Sequence, residues 1–356
     1  MNKTGDAIAI ILIWGGLIYM LFNFLPDINF SKNSLASTFS VLDFSNDNYQ
    51  EGIITISEDK ENFQSAAFYF NKPVDIFDIK VSAIDSNLLF AGSDKGLFIS
   101  RNNGSDWYAF SDLEKKIYSA KVYKILTGVN SDEKGEIFVS VFKNGKGMIY
   151  RTFDNFFSLE KIFEINNEAI YDFDILNGFL YLGLSDGRIL AYSINKKEFR
   201  VLNNLSSPII DLDVKRNGQL IYVALKSGGF LVSQDGGKNF IRQKYLDRYK
   251  GTNKIKMFFV DLLNNSTIYA ATQSGLICSY DFGNSWKAFK SIPLEKSMTS
   301  ALDIDNKGKI YVASDSKIYS SCDSGSNWKI LDPQIGKREV SIIILNNDKI
   351  IIGTRH

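Results

Sequence analysis

The chain has 356 residues, and its 41 basic and 40 acidic side chains give a formal net charge of +1. That balance argues against the strongly basic domain expected of a nucleic-acid-binding protein. Five prolines and 13% aromatic residues favour many short, twisted strands. The one histidine is the last residue and no Cys-x-x-Cys pair occurs, so we expect no metal site and no cofactor.

The first 50 residues have the pattern of a membrane anchor followed by a tether. Residues 7–25 are uncharged and almost wholly apolar, which at about 1.5 Å per residue is enough to span a bilayer core of roughly 30 Å. A cleaved signal peptide is the alternative, but its apolar region is usually shorter and a small-x-small cleavage site should follow. We therefore expect a cytoplasmic tail (residues 1–6), one transmembrane helix (7–25), a polar linker (26–50) and an extracytoplasmic domain (51–356). The orientation rests on a thin charge difference, since acidic and basic residues flank both ends of the helix.

An eight-residue motif recurs along the rest of the chain. Residues 233–240, 279–286 and 321–328 follow the pattern Ser-x-Asp-x-Gly-x-x-aromatic. In a hairpin turn, the Ser and Asp side chains accept hydrogen bonds from nearby backbone N–H groups, while Gly supplies a positive φ. The aromatic residue then begins the return strand and packs across the hairpin. The residues assigned to this structural role are Ser233, Asp235, Gly237, Ser279, Asp281, Gly283, Trp286, Ser321, Asp323, Gly325 and Trp328.

The spacing of the motif predicts a repeat architecture. With degenerate copies included, its first Ser or Thr falls at positions 57, 100, 152, 193, 233, 279 and 321. Intervals of 40–52 residues are typical of four-stranded propeller blades. Seven apolar strands that end in a small residue give the same count, and we expect small side chains where blades crowd near the axis. These small residues are Gly92, Ser140, Gly183, Ala224, Ala271, Ala313 and Gly353.

The two ends of the domain predict how the ring closes. The chain stops just after a second strand at residues 349–353, and a first strand at 340–345 precedes it. The domain begins at Gly52 with a third strand, and residues 64–70 follow as a fourth. We therefore expect an all-β, seven-bladed β-propeller of four-stranded antiparallel blades with a two-plus-two closing blade. Closure removes the exposed sheet edges that would otherwise pair with other chains.

The motif resembles the Asp-box, or bacterial neuraminidase, repeat of sialidase-like β-propellers. Propellers of the photosystem II assembly-factor type and the sortilin type also carry it. Residues 100–107 depart from the full pattern only by Asn102 in place of Asp. The sialidase resemblance implies glycoside hydrolysis through an arginine triad, a Tyr–Glu pair and an Asp acid. None of the nine arginines lies in the Phe-Arg-Ile-Pro context typical of that family, so the motif indicates architecture more strongly than activity.

Aspartates in the first strand of several blades are the binding candidates. They recur between apolar neighbours, and innermost strands line the central channel of a propeller. One interpretation is a partial ring of carboxylates that binds a cation or a basic peptide segment, and the alternative is a hydrated channel wall. The candidates are Asp78, Asp172, Asp211 and Asp303. Each motif turn carries a single carboxylate, whereas a calcium loop needs several oxygen ligands.

The favoured hypothesis for function is a membrane-anchored, extracytoplasmic propeller that acts as a scaffold for a protein or surface-glycan partner. The alternatives are a sialidase-like glycoside hydrolase and a purely structural envelope protein. Residues 243–250 mix basic and aromatic side chains, yet a partner-protein or solvated loop is favoured there over nucleic acid. Cys278 and Cys322 belong to different blades, so we expect them to be too far apart for a disulfide and to remain free thiols.

Overall fold

Short runs of β-branched and aromatic residues form the strands of seven four-stranded antiparallel sheets. The structure is a computed structural model that describes residues 52–57, 63–65, 74–110, 116–128, 135–261, 264–289, 298–305, 307–333, 335, 338–346 and 349–356. The predicted cytoplasmic tail, transmembrane helix and linker lie outside these ranges, as do residues 66–70 of the predicted fourth strand. Within the described ranges, no helix combines the length and apolar character needed to cross a membrane.

Each sheet is one blade, and the blades are numbered I to VII around the ring. Blade I contains β3 (Ile76–Val81), β4 (Leu89–Ser93), β5 (Gly96–Ser100) and β6 (Tyr108–Ala109). Blade II contains β7 (Lys121–Thr127), β8 (Ile137–Lys143), β9 (Lys146–Thr152) and β10 (Glu160–Asn166). Blade III contains β11 (Ile170–Leu176), β12 (Phe179–Leu184), β13 (Arg188–Ser193) and β14 (Glu198–Asn204).

The remaining blades follow the same order from inner to outer strand. Blade IV contains β15 (Ile209–Lys215), β16 (Leu220–Leu225), β17 (Phe230–Ser233) and β18 (Ile241–Arg242). Blade V contains β19 (Ile255–Val260), β20 (Ile268–Thr272), β21 (Gly275–Ser279) and β22 (Lys287–Ala288). Blade VI contains β23 (Thr299–Ile304), β24 (Ile310–Ser314), β25 (Lys317–Ser321) and β26 (Lys329–Leu331). Blade VII contains β27 (Glu339–Asn346), β28 (Lys349–Arg355), β1 (Ile53–Ser57) and β2 (Phe63–Ser65), and 3₁₀ turns occur at Arg216–Gly218 and Leu246–Arg248.

Blade VII is built from both ends of the domain. Its strand order is β2-β1-β28-β27, and Ile53 of β1 lies opposite Gly353 of β28 in an antiparallel ladder. The predicted seven-bladed propeller with a two-plus-two closing blade is therefore confirmed. Closing the ring this way makes stability of the whole domain depend on contacts between residues about 300 positions apart.

Arg338 connects the pieces of the closing blade. Its side chain is 8% exposed and donates hydrogen bonds to Thr354 Oγ1 at 2.7 Å and to the carbonyl of Val74 in blade I at 2.6 Å. Thr354 in turn donates from its backbone N–H to the carbonyl of Gly52, at 2.8 Å. The guanidinium thus joins strand β28 to the first residues of the next blade, and Thr354 joins the same strand to the residue ahead of β1.

The small residues at the ends of the second strands let neighbouring blades approach. A Cβ added at Gly92 would lie 2.6 Å from the carbonyl oxygen of Val122, on the inner strand of blade II. A Cβ at Gly353 would lie 2.6 Å from Ile76 Cγ2, on the inner strand of blade I. The crowding predicted for this column is confirmed at its glycine positions. The apolar core accordingly forms clusters between adjacent blades, such as Phe90 with Ile125, which pack blade I against blade II.

Candidate binding site in the central channel

Every inner strand carries a β-bulge at the same level. In all seven blades the pairing of the first strand with the second skips one residue of the first strand. A bulge leaves the extra residue outside the ladder and re-aims its side chain. All seven extra residues line one cavity of about 580 Å³ to which every blade contributes. These residues, called the bulge ring below, are Phe77, Tyr123, Tyr171, Ile210, Lys256, Ser300 and Ser341.

Three consecutive blades place aromatic side chains in the bulge ring, and these form an aromatic arc. The rings of Phe77 and Tyr123 stack with centroids 5.1 Å apart and an interplanar angle of 24°. Tyr171 meets Tyr123 edge to face at 5.0 Å. Burial, and to a lesser degree the neighbouring Tyr171, raises the pKa of Tyr123 to about 12. Its hydroxyl therefore stays protonated and can act as a hydrogen-bond donor at neutral pH.

Four cationic side chains from blades IV, V and VII line the same cavity and form a cationic rim: Lys226, Lys254, Lys256 and Arg355. Lys254 donates to the carbonyl of Ser227, and Arg355 lies 3.3 Å from a Glu339 oxygen. Within the part of the chain that the structure describes, the ammonium groups of Lys226 and Lys256 have neither a hydrogen bond nor an ion pair. The rim therefore holds positive charge that the described residues leave unpaired.

Ser300 contributes a buried hydroxyl from blade VI, whose neighbours in the ring, blades V and VII, both supply residues of the cationic rim. The residue is 3% exposed and lines the cavity, yet its Oγ has no hydrogen-bond partner among the described residues. The equivalent residue of the next blade, Ser341, donates its hydroxyl to the carbonyl of Ile76 at 2.6 Å. A buried hydroxyl without a partner costs about 1–3 kcal/mol, so a ligand atom at Ser300 would stabilise the site.

The four aspartates predicted as channel candidates lie at two levels. Asp78, Asp172 and Asp211 pair with Gly92, Gly183 and Ala224 of the second strands, and they line the cavity directly next to the bulge ring. Asp303 instead pairs with Tyr311, in the register that Asp174 and Asp213 occupy in blades III and IV. The four candidates therefore do not form one ring.

The carboxylates of the first level join adjacent blades. Each of the three accepts a hydrogen bond, at 2.7–2.8 Å, from a backbone N–H on the next inner strand. The donors to Asp78, Asp172 and Asp211 are the N–H groups of Ile125, Leu212 and Phe258. These N–H groups face away from their own blade's ladder, and an unpaired buried N–H is costly. The carboxylates thus replace ladder bonds that the innermost strands cannot make.

Blade II breaks this series with Lys124 at the aspartate position, where Lys124 Nζ lies 2.8 Å from Asp172 Oδ1. An ammonium cannot accept a hydrogen bond, and Asp172 Oδ1 accepts the N–H of its own neighbour Phe173 at 2.9 Å. Burial disfavours the Lys124 charge, but Asp172, Asp78 and Asp211 together raise the pKa of Lys124 well above its usual value. This lysine therefore stays charged and paired inside the channel.

Several of the buried carboxyls hold their protons more tightly than in water. Burial, with the nearby Asp172 charge, raises the pKa of Asp211 well above its ordinary value. Burial raises the pKa of Asp303 to about 6, although Lys80 opposes the shift. Burial and then Asp213 raise the pKa of Asp174 to about 6. Of these three carboxyls, Asp211 lines the cavity, and its protonation removes negative charge from the cavity wall.

The motif turns lie at the strand ends opposite the cationic rim. Ser321 Oγ accepts the N–H of Gly325 at 2.8 Å, and Asp323 Oδ1 accepts the N–H of Asn327 at 2.8 Å. Gly237, Gly283 and Gly325 of the three full copies have φ between 85° and 87°. Hydrogen bonds from Asn327 lower the pKa of Asp323 to about 2. These side chains form their hydrogen bonds within the turn itself.

Other residues considered in the sequence have local surroundings. Within residues 243–250, Tyr245 and Tyr249 contact each other, while Asp247 is paired with Arg242. Cys278 is buried and Cys322 exposed, and both are free thiols. Among the described residues, no group of three or more His, Cys, Asp or Glu side chains could hold a metal ion.

Sequence reasoning missed the bulge ring. It treated the first strands as regular, with alternate residues facing the channel, and selected the aspartates. A signal was present in the sequence, because in each first strand an apolar residue or threonine before the bulge is followed by the next large apolar core residue three positions later instead of two. The pairs are Ile76 and Ile79, Val122 and Ile125, Ile170 and Phe173, Ile209 and Leu212, Ile255 and Phe258, Thr299 and Leu302, and Val340 and Ile343.

Comparison with known proteins finds similarity in structure. No family model matches the chain, and no curated protein matches it. YCF48 from Cyanidioschyzon merolae superposes with a TM-score of 0.62 at 14% identity, covering 80% of this chain and 94% of that one. A structure of YCF48 bound to D1 peptide gives a TM-score of 0.59 at 12% identity, covering 82% and 98%.

The extracellular domain of BT4673 from B. thetaiotaomicron gives a TM-score of 0.62 at 13% identity. The match covers 81% of this chain but only 38% of that longer one. At such identities the likeness establishes the fold. The resemblance to assembly-factor-type and sialidase-like propellers that the motif indicated is thereby confirmed for the architecture.

Proposed function

We propose that this chain is a membrane-anchored, extracytoplasmic scaffold that binds a protein partner at the mouth of its propeller channel. The observation that carries the proposal is the bulge ring. A bulge interrupts the ladder and leaves a residue unpaired, so a bulge at one level in all seven blades favours a use for the side chains it exposes. The cavity that they line has the size of an ordinary ligand pocket.

The choice of a protein partner draws on the fold as well as the cavity. YCF48, which has the same architecture, has been solved bound to D1 peptide. Propellers present loops and strand ends from every blade on one face, which suits an extended partner. The aspartates of the first level are occupied by backbone N–H groups and Lys124, so they are weaker candidates for chemistry on a substrate.

Photocrosslinking at the channel tests this function. We would replace Tyr123 by p-benzoylphenylalanine in the full-length chain in its native membrane, and use Phe157, which is 83% exposed on a motif turn, as the matched control position. The proposal expects a discrete protein adduct from position 123 and none of the same mass from position 157. A sugar adduct, or no saturable adduct, would instead favour the glycoside hydrolase or the purely structural envelope protein.

The two cysteines provide a test of anchoring and orientation. Cys322 is exposed and Cys278 is buried, so a membrane-impermeant maleimide should label one site per folded chain. An extracytoplasmic propeller predicts labelling of Cys322 in intact cells and retention of the chain in the membrane fraction after a salt wash. Labelling only after lysis would place the propeller inside, and release by salt would argue against a transmembrane anchor at residues 7–25.

A further inference from the structure

We propose that the channel mouth binds an acidic peptide segment that carries an aromatic or bulky apolar side chain. This inference rests on the proposed function, because it names the chemistry of the partner that the same cavity would hold. The bulge ring is apolar and aromatic in blades I to IV, and polar or cationic in blades V to VII. A ligand that fills the cavity must therefore match both halves.

The cationic rim defines the charge of the ligand. Five cationic side chains and three carboxylates line the cavity. The carboxylates of Asp78, Asp172 and Asp211 already accept backbone N–H groups, and Asp172 also pairs with Lys124. Lys226 and Lys256 remain unpaired among the described residues. An incoming carboxylate would meet positive charge without displacing an existing partner, and the half-enclosed cavity strengthens that attraction.

The aromatic arc defines the apolar part of the ligand. Phe77, Tyr123 and Tyr171 are held by contact with one another, so their faces are arranged before a ligand arrives. Rigid aromatic surfaces bury apolar side chains at little cost in conformational entropy, and such residues dominate the energetics of many interfaces. A bulky side chain on the ligand would pack on this arc while neighbouring carboxylates reach the cationic rim.

Ser300 favours a ligand with a polar backbone. Its buried hydroxyl lacks a partner among the described residues, and a peptide offers a carbonyl oxygen at every residue. A neutral sugar could stack on the aromatic arc but would leave Lys226 and Lys256 without an anion. An acidic glycan would satisfy the charge, and it is therefore the competing ligand in the test.

The test measures fluorescence anisotropy with the full-length chain in detergent micelles. The probe is a fluorescein-labelled, eight-residue peptide with four glutamates and one phenylalanine, and a peptide with lysines in place of the glutamates is the charge control. Charge reversal of the rim, Lys226→Glu with Lys256→Glu, should weaken binding about tenfold or more and reduce its dependence on salt. The matched control, Lys196→Glu with Lys197→Glu, reverses two exposed lysines on the turn between β13 and β14 and should stay within about twofold.

Two further variants separate binding from folding. Tyr123→Ala should weaken the glutamate peptide about tenfold through lost aromatic contact. Ser300→Ala should weaken it about threefold. It should leave the thermal midpoint unchanged or slightly higher, because it removes a buried hydroxyl that has no partner. A purely structural role for Ser300 would lower the thermal midpoint and leave the affinity unchanged.

Several outcomes would overturn the inference. They are tighter binding of the lysine peptide, no effect of charge reversal at the rim, and preferential binding of oligogalacturonate over the glutamate peptide. If position 123 still crosslinks to a protein while charge reversal has no effect, the acidic-peptide inference fails and the proposed function stands. If position 123 captures no protein, the proposed function itself fails.

Discussion

Removing the guanidinium of Arg338 should open the closing blade of the propeller. Arg338→Met keeps an apolar stem of similar length and removes the donors that reach Thr354 and Val74. Hydrogen bonds from a charged group contribute about 1.5–3 kcal/mol each, and carbonyls left buried without a partner add to the loss. We therefore expect the free energy of unfolding to fall by about 4 kcal/mol.

The assay is urea unfolding of the full-length chain in mild detergent, followed by tryptophan fluorescence and by amide exchange. Loss of the Arg338 hydrogen bonds should speed exchange of the Thr354 N–H, which donates to Gly52, before the other blades lose protection. Arg188→Met is the control, because Arg188 pairs with Asp186 within a single blade and both side chains are about 30% exposed. Such an exposed pair contributes at most about 1 kcal/mol.

Two results would refute this reasoning. One is a loss at Arg338 no larger than the loss at Arg188, which would mean that the strand ladder between β1 and β28 closes the ring without the guanidinium. The other is faster exchange spread evenly over all blades, which would mean that the ring unfolds as one unit and that its closure is not the weak point.

Three further changes probe the blade architecture. Gly92→Ala places a Cβ 2.6 Å from the carbonyl oxygen of Val122, so it should destabilise the domain by about 1–3 kcal/mol in urea unfolding. Ser279→Ala removes the acceptor of the buried Gly283 N–H, at 2.8 Å, and should cost about 1–3 kcal/mol by the same measurement. Folding raises the pKa of Asp303 to about 6, so the stability it contributes is present below about pH 4 and lost as the pH rises through 6. Asp303→Asn should therefore gain up to about 3 kcal/mol relative to the natural chain between pH 4 and pH 7.

For each of these substitutions, one result would contradict the expected effect. A loss below about 0.5 kcal/mol for Gly92→Ala would mean that the inner strand of blade II moves to accommodate the added Cβ. A loss below about 0.5 kcal/mol for Ser279→Ala would mean that water replaces the serine hydroxyl. An unchanged pH profile for Asp303→Asn would mean that folding does not shift the pKa of this carboxyl.

Much of the architecture could be predicted from the sequence because hydrogen bonds between residues close in the chain define the turns. The turn at residues 321–328 uses bonds between residues two to four positions apart, so its residue types must appear in order along the chain. The number of copies of that turn gives the number of blades. The seventh sheet can then be completed only if the last strands of the chain pair with the strands that follow Gly52.

Packing between blades determined where the motif could lose its glycine. The copy at residues 152–158 lacks the glycine, yet the N–H of Phe156 donates to Thr152 Oγ1 at 3.1 Å in the same kind of turn. Phe156 takes a φ of 76°, and its ring is 1% exposed against Phe90 of the neighbouring blade. Contacts between blades compensate for the strained backbone of Phe156. The residues of a single repeat do not reveal these contacts.

What the sequence by itself determined is therefore the number of blades, the order of their strands and the shared closing blade, because these follow from turns and periods within single repeats. Only the tertiary structure decided which side chains face the channel. The bulges at Tyr123 and Ser300 shift the register of the inner strands, and a register exists only between paired strands. The bond from Ile125 to Asp78 likewise joins residues 47 positions apart in two blades, so closing the ring is what brings the site together.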